Sequence, residues 1–169
     1  MFRPMRRKRQ LLSETESISL LKASTSGVLS LLGDEGYPYG VPLSYVYDDG
    51  KIYFHSAVSG HKIDAIIGYD KASFTVISQD HIIVEEFTTY FRSVIAFGRV
   101  HIVDDEDEKR RAISMIADRY SPHANPESKE REISKGFQHM HLIAFDIEHL
   151  TGKEAIELVQ DKSGAHPCR

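Results

Sequence analysis

Cysteine is almost absent. The single thiol, Cys168, sits beside the C-terminal residue, so an intramolecular disulfide cannot form and a multi-cysteine zinc site is excluded. No apolar run approaches the roughly 18 residues a membrane-crossing helix needs. Excess positive charge is missing as well: the net charge is -4, which argues against a chain that binds nucleic acid as a whole. There is no internal repeat and no linker dividing two cores. The Gly-x-Ser-x-Gly, His-Glu-x-x-His, Walker and Rossmann glycine signatures do not occur. What remains is 169 residues with 41% hydrophobic and 27% charged content, the balance of one soluble globular domain with a cytoplasmic character.

The two ends differ from the middle. MFRPMRRKRQ holds Arg3, Arg6, Arg7, Lys8 and Arg9 with no apolar core behind them, so it does not read as a secretory signal. Residues 1–12 read as a solvated basic arm, lying on a partner subunit or a bound anion, ahead of a domain over 13–158. The tail, 159–169, is polar and rich in breakers, and mobility is expected there. Cys168 lies in it and is not expected to act as a nucleophile.

Between the ends the pattern is mainly β with short helices. Ser13 and Glu16 have capping-box spacing and predict a helix near 14–23. GVLSLLG (27–33) reads as a buried strand, VPLSYVYD (41–48) as the next, and KIYFHSA as a third behind the hairpin signal Asp49-Gly50. These three form a meander. Ile63, Ile66 and Ile67 predict a short helix near 60–68. KASFTVISQ and TYFRSVIAFGRVHIVDD are the fourth and fifth strands, and Gly98 inside the fifth predicts a bulge or barrel corner. A helix follows with Ile113, Ile116 and Ala117 on its apolar face, ended by Pro122 and Pro126. SKEREISKGF adds a polar helical turn, and HLIAFDIEHLTGK is a sixth strand. Six mostly antiparallel strands solve their edge problem by closing into a small barrel.

One segment gathers chemistry. IYFHSAVSGHK (52–62) ends a strand in His55-Ser56, passes Ser59-Gly60 and opens a helix with His61-Lys62. Hydroxyls, a glycine-permitted loop, helix N–H groups and a cation together make a phosphate cradle. By composition alone the same residues read at least as readily as a surface loop with a lysine. His139-x-His141 places two imidazoles on one strand face, the beginning of a metal site, but no third ligand has specific spacing, so structural or solvent-facing roles are favoured and no metal is expected.

IYFHSAVSGHK behind PYGVPLSYVYDDG, with TYFRSVIAFGRV some thirty residues on, resembles the pyridoxamine-phosphate-oxidase-like flavoproteins. Their fold is the FMN-binding split barrel, here a six-stranded antiparallel one. The likeness is greatest to the nitroimidazole-resistance branch and covers roughly residues 5–150. It implies that Val41, Pro42, Leu43 and Ser44 run along a flavin ring. It implies that His55, Ser56, His61 and Lys62 hold the FMN phosphate end, and that Arg92 and Ser93 reach the flavin from the same or the partner subunit. Histidine at position 61 replaces the arginine of the oxidase branch and offers a weaker, partial charge. Gly40 and Tyr45 stand where that branch has basic residues, and its C-terminal motif is missing, so pyridoxamine phosphate oxidation is not expected.

The resemblance further implies a homodimer with flavin at the subunit interface, without membrane or nucleic acid. The implied reaction is FMN-dependent reduction of a small electrophile such as a nitroaromatic, with NADH or NADPH as donor. His55 is the catalytic candidate, facing substrate or simply packing on the ring. Two other readings stay open: a flavin-binding or redox-sensing module without turnover, and a haem-binding split-barrel protein.

Overall fold

The computed structural model describes residues 1–163. In chain order it comprises β1 (Leu11–Leu12), α1 (Glu14–Ala23), β2 (Ser26–Leu32), β3 (Pro38–Ser44), β4 (Val46–Asp48), β5 (Lys51–Ala57), α2 (His61–Gly68), β6 (Lys71–Ile83), β7 (Thr88–Ile102), α3 (Glu106–Tyr120), α4 (Pro126–Gly136), β8 (Met140–Glu154) and α5 (Ile156–Ser163). All pairing is antiparallel, in the order β3-β2-β6-β7-β8-β5-β4, with β1 on a free stretch of β8.

That order explains the closure. β3 and β4 are the two outermost strands, yet only Tyr45 separates them in the chain. The sheet must therefore curl until its edges meet, leaving a barrel split along one seam. The expected three-strand meander is corrected here, and the strand count rises from six to eight. The stretch 41–48 is two strands at opposite edges, and β1 is too short to show periodicity. Tyr45 at the seam is fully buried, and its hydroxyl donates to the Leu21 carbonyl at 2.7 Å. Its backbone N–H, without a strand partner, donates to the Tyr120 hydroxyl on α3 at 2.9 Å. Burial pushes the Tyr45 phenol well above the ordinary tyrosine range, with the Arg119 charge opposing.

Local signals behave as their chemistry requires. The Ser13 hydroxyl accepts the Glu16 N–H at 3.2 Å, and the Glu16 carboxylate accepts the Ser13 N–H at 2.9 Å, a complete capping box. Asp49 and Gly50 both take positive φ, 41° and 82°, closing a two-residue hairpin between Asp48 and Lys51. At Gly98 the β7–β8 register jumps from Phe97↔His149 to Gly98↔Ile147. A Cβ on Gly98 would lie 1.9 Å from the Asp146 carbonyl oxygen. Pro126 does not end α3; it occupies the first turn of α4, where Asn125 accepts the Glu127 N–H at 2.8 Å. The polar turn expected over 128–137 is thus a full helix that buries Ile133.

Two apolar layers result. Leu29, Phe54, Phe74, Val94, Ile143 and Phe145 fill the barrel, and Ile63, Ala65 and Ile66 of α2 join them. On the other side of β5 and β8, Tyr53, Leu142 and Ala144 pack under Ile113 and Ile116 of α3 and Ile133 of α4. Of the expected α3 face, Ala117 is partly buried against this layer. Ile52, Tyr53 and Phe54 are all buried because β5 is covered on both faces. Near the N-terminus, buried Gln10 donates to the Glu154 carbonyl at 2.9 Å, and the Phe2 ring stacks on His149 at 4.6 Å. Of the tail, 159–163 continue α5; Cys168 and the rest lie outside the described residues.

Candidate functional site

The end of β5 and the start of α2 form the site. Side chains alternate along a strand. Ser56, opposite His141, shares the face of Phe54 and Ile143 and so continues the barrel interior toward its α2 end. His55, opposite Leu142, points to the other side, toward α3 and α4. The two neighbours therefore cannot approach one ligand group from the same face.

Gly60 precedes α2 with φ 124°, which favours glycine, and it offers no capping side chain. Its carbonyl accepts the N–H groups of Ile63 at 2.8 Å and Asp64 at 3.1 Å. The N–H groups of His61 and Lys62 point out of the first turn toward the partial positive end of the helix. Lys62 is partly buried and makes no ion pair with any described residue. Desolvation alone holds its ammonium below the usual lysine pKa. An unpaired, partly desolvated cation beside an uncapped helix start is a site for an anion. Its neighbour is more engaged. The His61 ring stacks on Tyr39 of β3 at 4.1 Å, and Nε2 lies 3.6 Å from the Asp34 carboxylate. His61 thus braces α2 against the β2–β3 turn.

Tyr39 carries the site onto β3. Along that strand Val41 and Leu43 turn inward, while Gly40, Pro42 and Ser44 are exposed on the outer face. Among the described strands β3 pairs with β2 alone, so its other edge has no strand beside it there. Ser26, Gly27, Val28, Ser30, Pro42, Thr75 and Ile77 line an open groove of about 440 Å³ on the outer face. Most of its lining side chains are small, with Ile77 the largest. Tyr39 and Pro42 are three residues apart, about 10 Å of strand.

Arg92 and Ser93 separate. Ser93 lies across from Ile77, at the groove's far rim. Arg92 turns the other way: its Nε donates to the buried Glu154 carboxylate at 3.1 Å and Nη1 to Gln79 at 3.3 Å. His55 pairs with Leu142 and Arg92 with Glu154, twelve residues further along β8, roughly 40 Å of extended strand. Within one chain, Arg92 does not join the Ser56–Lys62 patch. Two neighbours are set by the fold and not by local sequence: Tyr39, which meets His61 where α2 packs beside β3, and His141, considered in the sequence only with His139, which lies opposite Ser56. No cluster of three or more metal-ligating side chains occurs among the described residues, His139 and His141 included, and none of the described helices is long and apolar enough to cross a membrane.

The family model described as pyridoxamine 5'-phosphate oxidase matches residues 13–154. Among solved structures, the fold is similar to a candidate 5-nitroimidazole antibiotic resistance protein of Bacteroides thetaiotaomicron. That likeness has a TM-score of 0.72 and 20% identity, covering 85% of this chain and 86% of the other. It is also similar to an FAD-binding protein of Mesorhizobium loti, with a TM-score of 0.63, 25% identity and coverage of 86% and 97%. An FAD and heme binding protein of Mycobacterium smegmatis has a TM-score of 0.68, 18% identity and coverage of 87% and 73%. No functionally curated protein matches the sequence.

Proposed function

Since the chain belongs to the pyridoxamine 5'-phosphate oxidase family, we propose that it binds FMN and reduces a small electrophile of the nitroaromatic class. The observation that carries this reading is Lys62, a partly buried ammonium that pairs with no acid among the described residues, beside the uncapped start of α2. Lys62, Ser56 and the first N–H groups of α2 would hold the phosphate; the exposed side of β3 at Pro42 and Ser44 would lie along the ring. The flavin supplies electron transfer when bound, and the chain supplies binding, orientation and exclusion of water. The names of the FAD-binding neighbours support a flavin in general, and FMN is the form that the sequence resemblance implies.

Tyr45 argues against pyridoxamine phosphate as substrate. By the sequence resemblance it stands where the oxidases carry a basic residue, and it is fully buried with its hydroxyl committed to Leu21. His55, the catalytic candidate, faces away from Ser56 toward α3 and α4, so in this reading it does not hold the phosphate. A two-fold pair of chains would cover the exposed Val28, Ile77, Ile95 and Phe97 and would enclose the ring between subunits. Pyridine nucleotide serves as donor in the cytoplasm. The purified protein is expected to be yellow, with absorbance near about 450 nm, bleached by NADH or NADPH and restored by a nitroaromatic. A colourless protein with no affinity for added FMN, or a Soret band in place of the flavin spectrum, overturns the reading.

A further inference from the structure

The β6–β7 hairpin outruns the sheet. Pairing of β2 with β6 ends at Thr75, and pairing of β8 with β7 ends at Arg92. Beyond a register shift between Ile77 and Gln79, residues 80–83 and 88–91 pair only with each other among the described strands. A two-stranded ribbon has little stability of its own, and this one is held by the end of β8 and by α5, where the Phe91 carbonyl accepts the Ala155 N–H at 2.9 Å and the Thr88 hydroxyl donates to Glu157 at 3.2 Å. Its turn nevertheless displays Ile82 at 68%, Val84 at 70% and Phe87 at 97% exposure. Phe87 is also held at φ 51°, a left-handed conformation that L-residues with a large side chain avoid. An apolar tip maintained in this way is a contact surface.

Charge selects the partner. Asp80, Glu85 and Glu86 surround the tip, and none forms an ion pair with a described residue; Glu86 only accepts the Tyr90 hydroxyl. Three carboxylates repel anionic lipid and nucleic acid and call for a basic protein surface. The chain itself provides one. Arg3, Arg6, Lys8 and Arg9 on the N-terminal arm are exposed and likewise make no ion pair with a described residue. Phe2, anchored on His149 and Phe97, presents the arm on the outer face of the barrel. The described chain makes no contact of its own between tip carboxylates and arm cations.

We infer that the ribbon tip of one chain docks on the basic N-terminal arm of a second copy, and reciprocally, so that each dimer contains two equivalent tip–arm contacts. Isologous pairing requires this reciprocity. The apolar residues at the tip supply burial, and the carboxylates select the arm.

A charge-exchange experiment tests it. One variant carries Glu85→Arg with Glu86→Arg; a second carries Arg3→Glu with Arg6→Glu. Each alone should raise the dimer dissociation constant about tenfold or more in sedimentation equilibrium. Circular dichroism and thermal melting should match the parent, because every altered residue is exposed. When the two variants are mixed, both contacts become favourable, and a heterodimer of near-parental affinity should form. Phe87→Ser should also weaken the dimer. The inference is overturned if the parent is monomeric, if either reversal leaves dimerisation unchanged, or if pairing is regained only when both reversals share one chain, which would mean an intrachain contact. Flavin titration of the same variants is a separate readout, so failure here is distinguishable from failure of the cofactor reading.

Discussion

Lys62 is a residue kept at a cost. Burial lowers its pKa in the folded chain, so between that value and the ordinary 10.5 the unfolded chain binds more protons. Stability of the apoprotein therefore rises as pH climbs through the folded value, and at neutral pH the charged form is a burden. A bound phosphate dianion reverses the balance. Lys62→Met is accordingly expected to raise the melting temperature of the apoprotein in calorimetry while weakening FMN binding; a lower melting temperature would count against a desolvated, unpaired charge. Glu108 has the opposite logic. It accepts the Tyr53 hydroxyl at 2.6 Å and the Lys51 ammonium at 3.0 Å, and these bonds hold its carboxyl below the ordinary 4.5. Its contribution is complete above that unfolded value and lost as pH falls through the folded one. Glu108→Gln should be less stable than the parent near pH 7 in urea unfolding, with the two curves converging below about pH 4.5. A gap that persists in acid would refute the linkage.

At the scale of elements, what could be read from sequence was what neighbours along the chain decide. The capping box of Ser13 and Glu16, the Asp49-Gly50 turn and the Gly98 bulge each depend on a few adjacent residues, and each is where the pattern placed it. The break at Tyr45 was not legible, because the hydroxyl that satisfies its N–H comes from Tyr120, 75 residues away. The opposite facing of His55 and Ser56 follows from strand alternation, but which face is the barrel interior depends on β8. Asn125-Pro126 did carry a helix-start signal, which reading the proline only as a terminator missed. Gly98 also yields a prediction. Any side chain there meets the Asp146 carbonyl, which is backbone and cannot swing aside. Gly98→Ala should cost about 3 kcal/mol in chemical denaturation; a change within ~0.5 kcal/mol would show that the corner tolerates a Cβ.

At the scale of the whole molecule, closing the sheet through Tyr45 places the β3 edge and the start of α2 at one end of the barrel. His61 joins them through Tyr39 and Asp34. The proposed ligand would thus span an anion patch and an open groove, with the second chain supplying what one chain lacks. The phosphate end discriminates most sharply, because riboflavin has the same ring and no phosphate. The decisive measurement is fluorescence titration of parent and Lys62→Ala apoprotein with both compounds. The account predicts that the parent prefers FMN, that the variant loses roughly 1.5–3 kcal/mol of FMN affinity, and that riboflavin affinity is the same in both. Equal FMN affinity in parent and variant, or a parent indifferent to the phosphate, would contradict it.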